Sequence, residues 1–264
     1  MVAPGPHQHQ EPALTPAWPP APGEPAREPA GGARLPLAVL VHGGRHDGWS
    51  WHLVQAELTR RGITSIAPDL PFTSTEDDIA AVRAVLERCS GRVILVGHSR
   101  AGRVITTAAS GCAAVQRLIY VAGFMLDPGE PFVPRHPKPA GDRERTRPDR
   151  DLDPEMAREI FYHDVPEELF REAVRHLRVV PASALHQPRS ARPAAWRSIP
   201  STYVVCTDDH HIDPDDQREM ARRASEVVEI HSSHAPFLSV PGALAAIIAE
   251  RVGSAPIATA PNLT

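Results

Sequence analysis

The chain is poor in cysteine, nearly without lysine, and has no long apolar run. Its 264 residues include three cysteines, Cys89, Cys112 and Cys206. They are far apart and odd in number, which argues against a disulfide framework and fits a reducing compartment, with the thiols as packing residues rather than ligands. No stretch reaches the roughly eighteen consecutive apolar residues that mark a membrane span. The start of the chain lacks the basic, apolar, small-residue order of a secretory signal. A cytoplasmic protein with no membrane partner is expected. Lysine is represented by Lys138 alone, and the 28 cations against 32 acids leave a formal net charge of -4. That balance gives no case for a nucleic-acid partner.

What the sequence does have is uneven. Residues 1–34 carry nine prolines, few large apolar residues and no alternation, so a disordered tail is expected there, because such a segment buries too little to offset its ordering entropy. A short second tail is expected at 255–264. Between them, over 35–254, apolar runs alternate with amphipathic stretches. Strand-like runs are Leu37 to Val41, Thr64 to Ala67, Val93 to Val96, Leu118 to Ala122, Thr202 to Cys206 and Val227 to Ile230. Helical patterns are Trp51 to Arg60, Thr75 to Cys89, Arg103 to Ala109, Pro214 to Ala224 and Pro241 to Val252. Ser74, three residues ahead of Asp77, has the form of a helix N-cap. This rhythm predicts one α/β domain with a mostly parallel sheet flanked by helices.

The rhythm breaks between about 124 and 195. A stretch rich in proline and arginine leads into helical sequence at Pro154 to Tyr162 and Pro166 to Leu177. The charge run Asp142 to Asp153 is expected to be a solvated loop. Lying between two strands on their carboxyl-edge side, the insertion is placed to form a small helical cap.

The run Val93 to Val96 leads into Gly97-His98-Ser99-Arg100-Ala101-Gly102. A serine between small residues, after an apolar strand and before a helix, has the form of a nucleophile elbow, G-x-S-x-G, with Ala101 in the second glycine's place. A serine hydroxyl needs a base to activate it and a third group to orient that base. The later strands supply both: Thr202 to Cys206 runs into Asp208 and Asp209, and Val227 to Ile230 runs into His231 and His234. The run Asp208-Asp209-His210-His211 could also be read as a metal cluster. It has no recognised ligand spacing, and no metal or cofactor is expected.

Three segments together resemble the plant-type esterase and hydroxynitrile lyase branch of the α/β-hydrolase superfamily. They are the elbow, the opening His42-Gly43-Gly44-Arg45-His46-Asp47-Gly48-Trp49-Ser50-Trp51, and the pair formed by Asp209 with Gln217 and Ser233-His234-Ala235-Pro236-Phe237. The resemblance covers about residues 37–252 and is weakest across the cap. It implies an α/β-hydrolase fold with Ser99 as nucleophile, His234 as general base and Asp209 as the orienting acid, Asp208 being the fallback. It also implies an oxyanion hole made by the backbone N–H groups of Gly44 and Arg100. His98 is expected to pack under the elbow and His46 to hold the oxyanion loop, while His163 and His231 are expected to be cap or surface residues.

The lyases of this branch use a threonine in the oxyanion loop and a lysine after the catalytic histidine. Gly43 and Ala235 stand there instead, so ester hydrolysis is the expected chemistry. Lactones and thioesters share that acyl chemistry. The alternative is a silent protein of the same fold that binds a small hydrophobic ligand. Trp49, Phe124, Phe161, Tyr162 and Phe237 are candidate pocket walls, which would favour small or medium apolar substrates. The expected partner is a small-molecule substrate, and a homodimer is left open.

Overall fold

The computed structural model describes residues 37–136, 141, 146–185 and 193–253. The expected tails at 1–34 and 255–264 lie outside the described residues. Six strands form one sheet: β1 (Leu37–Val41), β2 (Thr64–Ile66), β3 (Val93–His98), β4 (Val115–Val121), β5 (Ser201–Cys206) and β6 (Glu226–Ile230). Their order is β2-β1-β3-β4-β5-β6, and every pairing is parallel. The chain therefore steps from β1 outward to β2 and returns to β3 on the other side of β1. At such a reversal the loops leaving the two strands diverge and open a crevice at their carboxyl ends. The loop after β1 carries Gly43 and Gly44, and the turn after β3 carries Ser99.

Side-chain alternation along the strands divides the interior into two cores. Ala38, Leu40, Ile94, Val96, Ile119, Val121, Val204 and Cys206 face one layer. Val39, Val41, Val93, Leu95, Leu118, Tyr120, Tyr203 and Val205 face the other. These strands read as near-continuous apolar runs because a parallel sheet is covered on both faces. The first layer is closed by α1 (His52–Arg60), the single turn α8 (Pro236–Ser239) and α9 (Pro241–Gly253), with Val54 and Leu58 against Leu244, Ala245 and Ile248. The second is closed by α2 (Thr75–Arg88), α3 (Ala101–Ala108) and α7 (Pro214–Ala221).

Local signals fix several boundaries. The Ser74 side chain accepts from the Asp77 N–H at the start of α2, at 3.0 Å, with Glu76, Asp77 and Asp78 in the first turn. Acidic residues there complement the positive end of the helix. Helix α3 starts at Ala101, two residues earlier than the periodicity predicts, because the tight turn at Ser99 leads straight into it. Trp51 belongs to a 3-10 turn, Gly48–Trp51, capped by Asp47, and α1 begins only after it.

The cap holds α4 (Pro154–Phe161), α5 (Glu167–Arg175) and the single turn α6 (Ala182–Leu185). It joins both cores, Met156, Ala157, Ile160 and Phe161 in one and Val180 and Ala184 in the other. Part of the segment expected to be solvated is instead fastened to the body: Arg45 donates to the main-chain carbonyls of Arg147 and Arg150. No helix among the described residues is long and apolar enough to cross a membrane.

Candidate active site

Ser99 sits at φ +50°, in the left-handed region that side chains rarely adopt, and neighbouring backbone holds it there. Its N–H donates to Val121 O, and its carbonyl accepts from Gly102 N and Phe124 N, all at 3.0 Å. A strained residue kept in place by its surroundings is a recurrent property of functional sites. The close approach that the elbow needs occurs at Gly97 and Gly102. A Cβ on Gly102 would lie 2.7 Å from Phe124 N and 2.8 Å from Phe124 O, and one on Gly97 2.8 Å from Ile105. Ala101 meets no such limit, so its methyl group is accommodated, fully buried.

His234 follows β6, and its Nδ1 donates to Asp209 Oδ2 at 2.6 Å. Asp209 is buried and fully engaged. Oδ1 accepts from the N–H groups of His211 (2.7 Å) and Ile212 (2.9 Å), and Oδ2 also accepts from Gln217 Nε2 at 2.8 Å. Gln217 reaches that position from α7 because its Oε1 accepts from Cys206 N and its Nε2 donates to Ile212 O. A carboxylate fixed by four donors holds the imidazole in one orientation. Asp208 points elsewhere, with its Oδ2 4.0 Å from His163 Nδ1.

Three other histidines form the scaffold of the site, and burial holds all of them neutral. His98 Nε2 donates to the main-chain carbonyl of His234 at 2.9 Å, and its pKa lies well below 6.5. His42, lowered to about 4, donates from Nδ1 to Gly43 O and accepts the Leu70 N–H at Nε2. His46, lowered to about 3, donates from Nδ1 to Gly44 O at 2.8 Å and accepts from the Tyr162 hydroxyl at Nε2, 2.9 Å away. His42 and His46 thus fix the carbonyls, and hence the peptide planes, on either side of the Gly44 N–H.

Arg100 follows Ser99 at the start of α3. Its side chain runs away from the serine to Asp78 Oδ2 (2.6 Å) and to Ala184 O, while its ring-side contact is Phe72, 5.3 Å from the guanidinium carbon. Removing one partner of such a buried pair typically costs about 3–5 kcal/mol. The pair ties the elbow to α2 and to the cap.

Ser99 and His234 open on one cavity of about 260 Å³ under the cap. Gly44, Arg100, Phe124 and Phe161 are among its lining residues. The other three candidate wall residues require correction, since each is held outside the lining by another contact. Trp49 stacks on His176, with ring centroids 4.1 Å apart. Tyr162 is spent on His46, and Phe237 is buried against Trp51 and His98. The cavity gains instead Arg45, Thr75, Arg103, Val104, Val180, Ala184 and His211. Arg103 carried a usable sequence signal, because it falls in the first turn of the helix that the serine turn leads into. The cap residues carried none.

Of the histidine-rich stretches, His163, Asp208 and His210 have donor atoms within 4.8 Å of one another. The two imidazoles stack at 4.0 Å, His163 Nε2 donates to Asp208 O, and His210 Nδ1 donates to Glu159 O. These contacts give a structural account of the group.

Residues 38–247 match the alpha/beta hydrolase family model. The chain is 30% identical to a methylesterase of Arabidopsis thaliana, Methylesterase 7, over 80% of this chain and 94% of that protein. It is 28% identical to a pyrethroid hydrolase of Sphingobium wenxiniae over 80% of this chain and 86% of that one. A crystal structure of another Arabidopsis methylesterase superposes with a TM-score of 0.67 at 22% identity, covering 83% of this chain and 99% of that chain. With its parallel sheet, its serine elbow and these similarities, the chain belongs to the alpha/beta hydrolase family, in the branch that contains the plant methylesterases.

Proposed function

We propose that the protein hydrolyses carboxylic esters of small to medium size by a serine mechanism without a cofactor. The observation that carries this reading is the 2.6 Å bond between His234 Nδ1 and Asp209 Oδ2 beside a cavity that Ser99 and His234 share. With Nδ1 protonated and held, Nε2 is the nitrogen that takes a proton. Ser99 Oγ attacks the ester carbonyl carbon while His234 Nε2 accepts the hydroxyl proton. The carbonyl oxygen becomes an oxyanion held by the N–H groups of Gly44 and Arg100, the latter at the positive end of α3. When the tetrahedral adduct collapses, the C–O bond to the alcohol breaks and His234 returns the proton to the departing oxygen. Water, deprotonated by His234, then attacks the acyl carbon, the bond to Ser99 Oγ breaks, His234 returns the proton to that oxygen, and the acid is released. The relatives named methylesterase and pyrethroid hydrolase support ester cleavage as the reaction class.

Gly43 favours hydrolysis over the lyase chemistry of the same branch. A Cβ there would lie 2.6 Å from His98 Nδ1 and 3.0 Å from the Ser99 Cβ, so a threonine does not fit without displacing His98. The test is a panel of methyl and p-nitrophenyl esters, lactones and thioesters, with Ser99→Ala and His234→Ala as controls. Each single variant is expected to lose about as much activity as the double variant, because the two residues act as one unit. An acyl mass on Ser99 is expected with a slow substrate. Full activity in Ser99→Ala, or loss on chelation, would overturn the mechanism.

A further inference from the structure

The cavity beside Ser99 has a strongly cationic wall. Arg45, Arg100 and Arg103 line it, and among its described lining residues there is no carboxylate. Arg45 donates to the Arg147 and Arg150 carbonyls, and Arg100 donates to Asp78 and Ala184 while its Nη1 is buried without a partner. Arg103 is different. Its guanidinium carbon lies 4.9 Å from the centre of the Phe124 ring, and its Nε is buried with no hydrogen-bond partner. Glu130, the acid that acts on it electrostatically among the described residues, is already held by Arg223 through two bonds of 2.6 Å.

A buried N–H without an acceptor, such as Arg103 Nε, is costly, since it forfeits the water it gave up. Burial pulls the Arg103 pKa down to about 10, and the nearby Arg100 charge adds to that effect. Even so, the group remains cationic at neutral pH. Its planar fork matches a carboxylate, which can accept two parallel N–H bonds.

Resting on the ester-hydrolase reading, we propose that Arg103 is a substrate-recognition residue and that the preferred substrates are esters bearing a second, ionised carboxylate, such as monoesters of dicarboxylic acids. The scissile carbonyl sits at Ser99. The free carboxylate sits on the guanidinium, in the first turn of α3, where Phe124 supports the cation from the other side. Val104, Phe161 and Val180 cover the methylenes between the two ends. This refines the apolar pocket expected from the aromatic residues, because the wall is apolar along its length and cationic at one corner.

The experiment compares monomethyl esters of succinate, glutarate and adipate with the corresponding dimethyl esters, in wild type, Arg103→Met and Arg103→Lys. The readout is the ratio of kcat/KM for each monoester over its neutral partner, which a general loss of folded protein leaves unmoved. In the wild type the best monoester is expected to lead by about tenfold or more, the range of one charge-assisted contact. Arg103→Met should bring the ratio to one or below, and Arg103→Lys should keep part of it. A wild-type ratio at or below one, or one that Arg103→Met leaves unchanged, overturns the proposal. If no ester is cleaved, calorimetry with glutarate decides it separately. Binding that Arg103→Met abolishes keeps the carboxylate site while the hydrolase reading falls, and absence of binding removes both.

Discussion

His98 Nε2 donates to the backbone carbonyl of His234 across 2.9 Å, so the residue before Ser99 holds the loop that carries His234. The bond spans 136 residues of sequence and lies entirely in the interior. His98→Ala leaves that carbonyl buried without its donor, a cost of about 1–3 kcal/mol before any cavity is counted. Urea unfolding should register that loss. Displacing the imidazole of His234 by a fraction of an ångström should also lower kcat, by up to about a hundredfold, with KM little changed. Unchanged kcat would show that the loop keeps its place without His98.

Asp209→Asn and Asp208→Asn separate the two neighbouring acids. An amide at the Oδ2 position of Asp209 would put N–H against the N–H groups of Gln217 and His234, forcing the histidine into the other tautomer. A fall in kcat on the order of 10⁴ is expected. Asp208→Asn should change kcat by less than about threefold, because Asp208 makes no contact with His234 and at most a loose, water-screened one with His163. Steady-state kinetics on both variants check this, and reversed magnitudes would transfer the orienting role to Asp208.

Tyr162→Phe tests the link between Tyr162 and the loop that carries Gly43 and Gly44. The hydroxyl is the donor to His46 Nε2, and His46 in turn holds Gly44 O. Its removal should cost about 1–3 kcal/mol in denaturant unfolding, as His46 is buried and left without that donor. Activity should fall through kcat, since the Gly44 N–H loses its fixed direction. A variant changed in KM alone would place Tyr162 on the substrate side instead.

Acid should unfold the protein earlier than its carboxylates alone predict. The unfolded chain protonates its histidines as pH falls through about 6.5. Folded, His42 resists until about 4 and His46 until about 3, burial being the largest cause in both. The unfolded state therefore binds more protons throughout that window. Stability is intact above pH 6.5 and is lost as pH falls toward 4, by up to about 1.4 kcal/mol per pH unit for each histidine. Urea midpoints measured between pH 7 and 4 give the slope directly. A flat profile would mean that these imidazoles are not held neutral in the folded chain.

The local pattern of the sequence determined the α/β architecture, the elbow at Ser99 and the capped start of α2, because strand alternation, helix periodicity and turn chemistry act over a few residues. The chain order of Ser99, Asp209 and His234 was also legible, as a resemblance carried by three separated segments. Tertiary structure decided what those local rules cannot reach. It set the tautomers of His42, His46 and His98, chosen by partners such as Leu70, Tyr162 and His234. It also placed Phe124 and Phe161, rather than Trp49, Tyr162 and Phe237, on the cavity. An aromatic side chain goes to the strongest contact its neighbours offer, and for the excluded three those neighbours were His176, His46 and the packing beneath the elbow. Arg103 shows the same division. The sequence places it in the first turn of the helix after Ser99, but only the folded arrangement ties Arg45 and Glu130 to other groups and leaves Arg103 Nε buried beside the cavity without an acceptor.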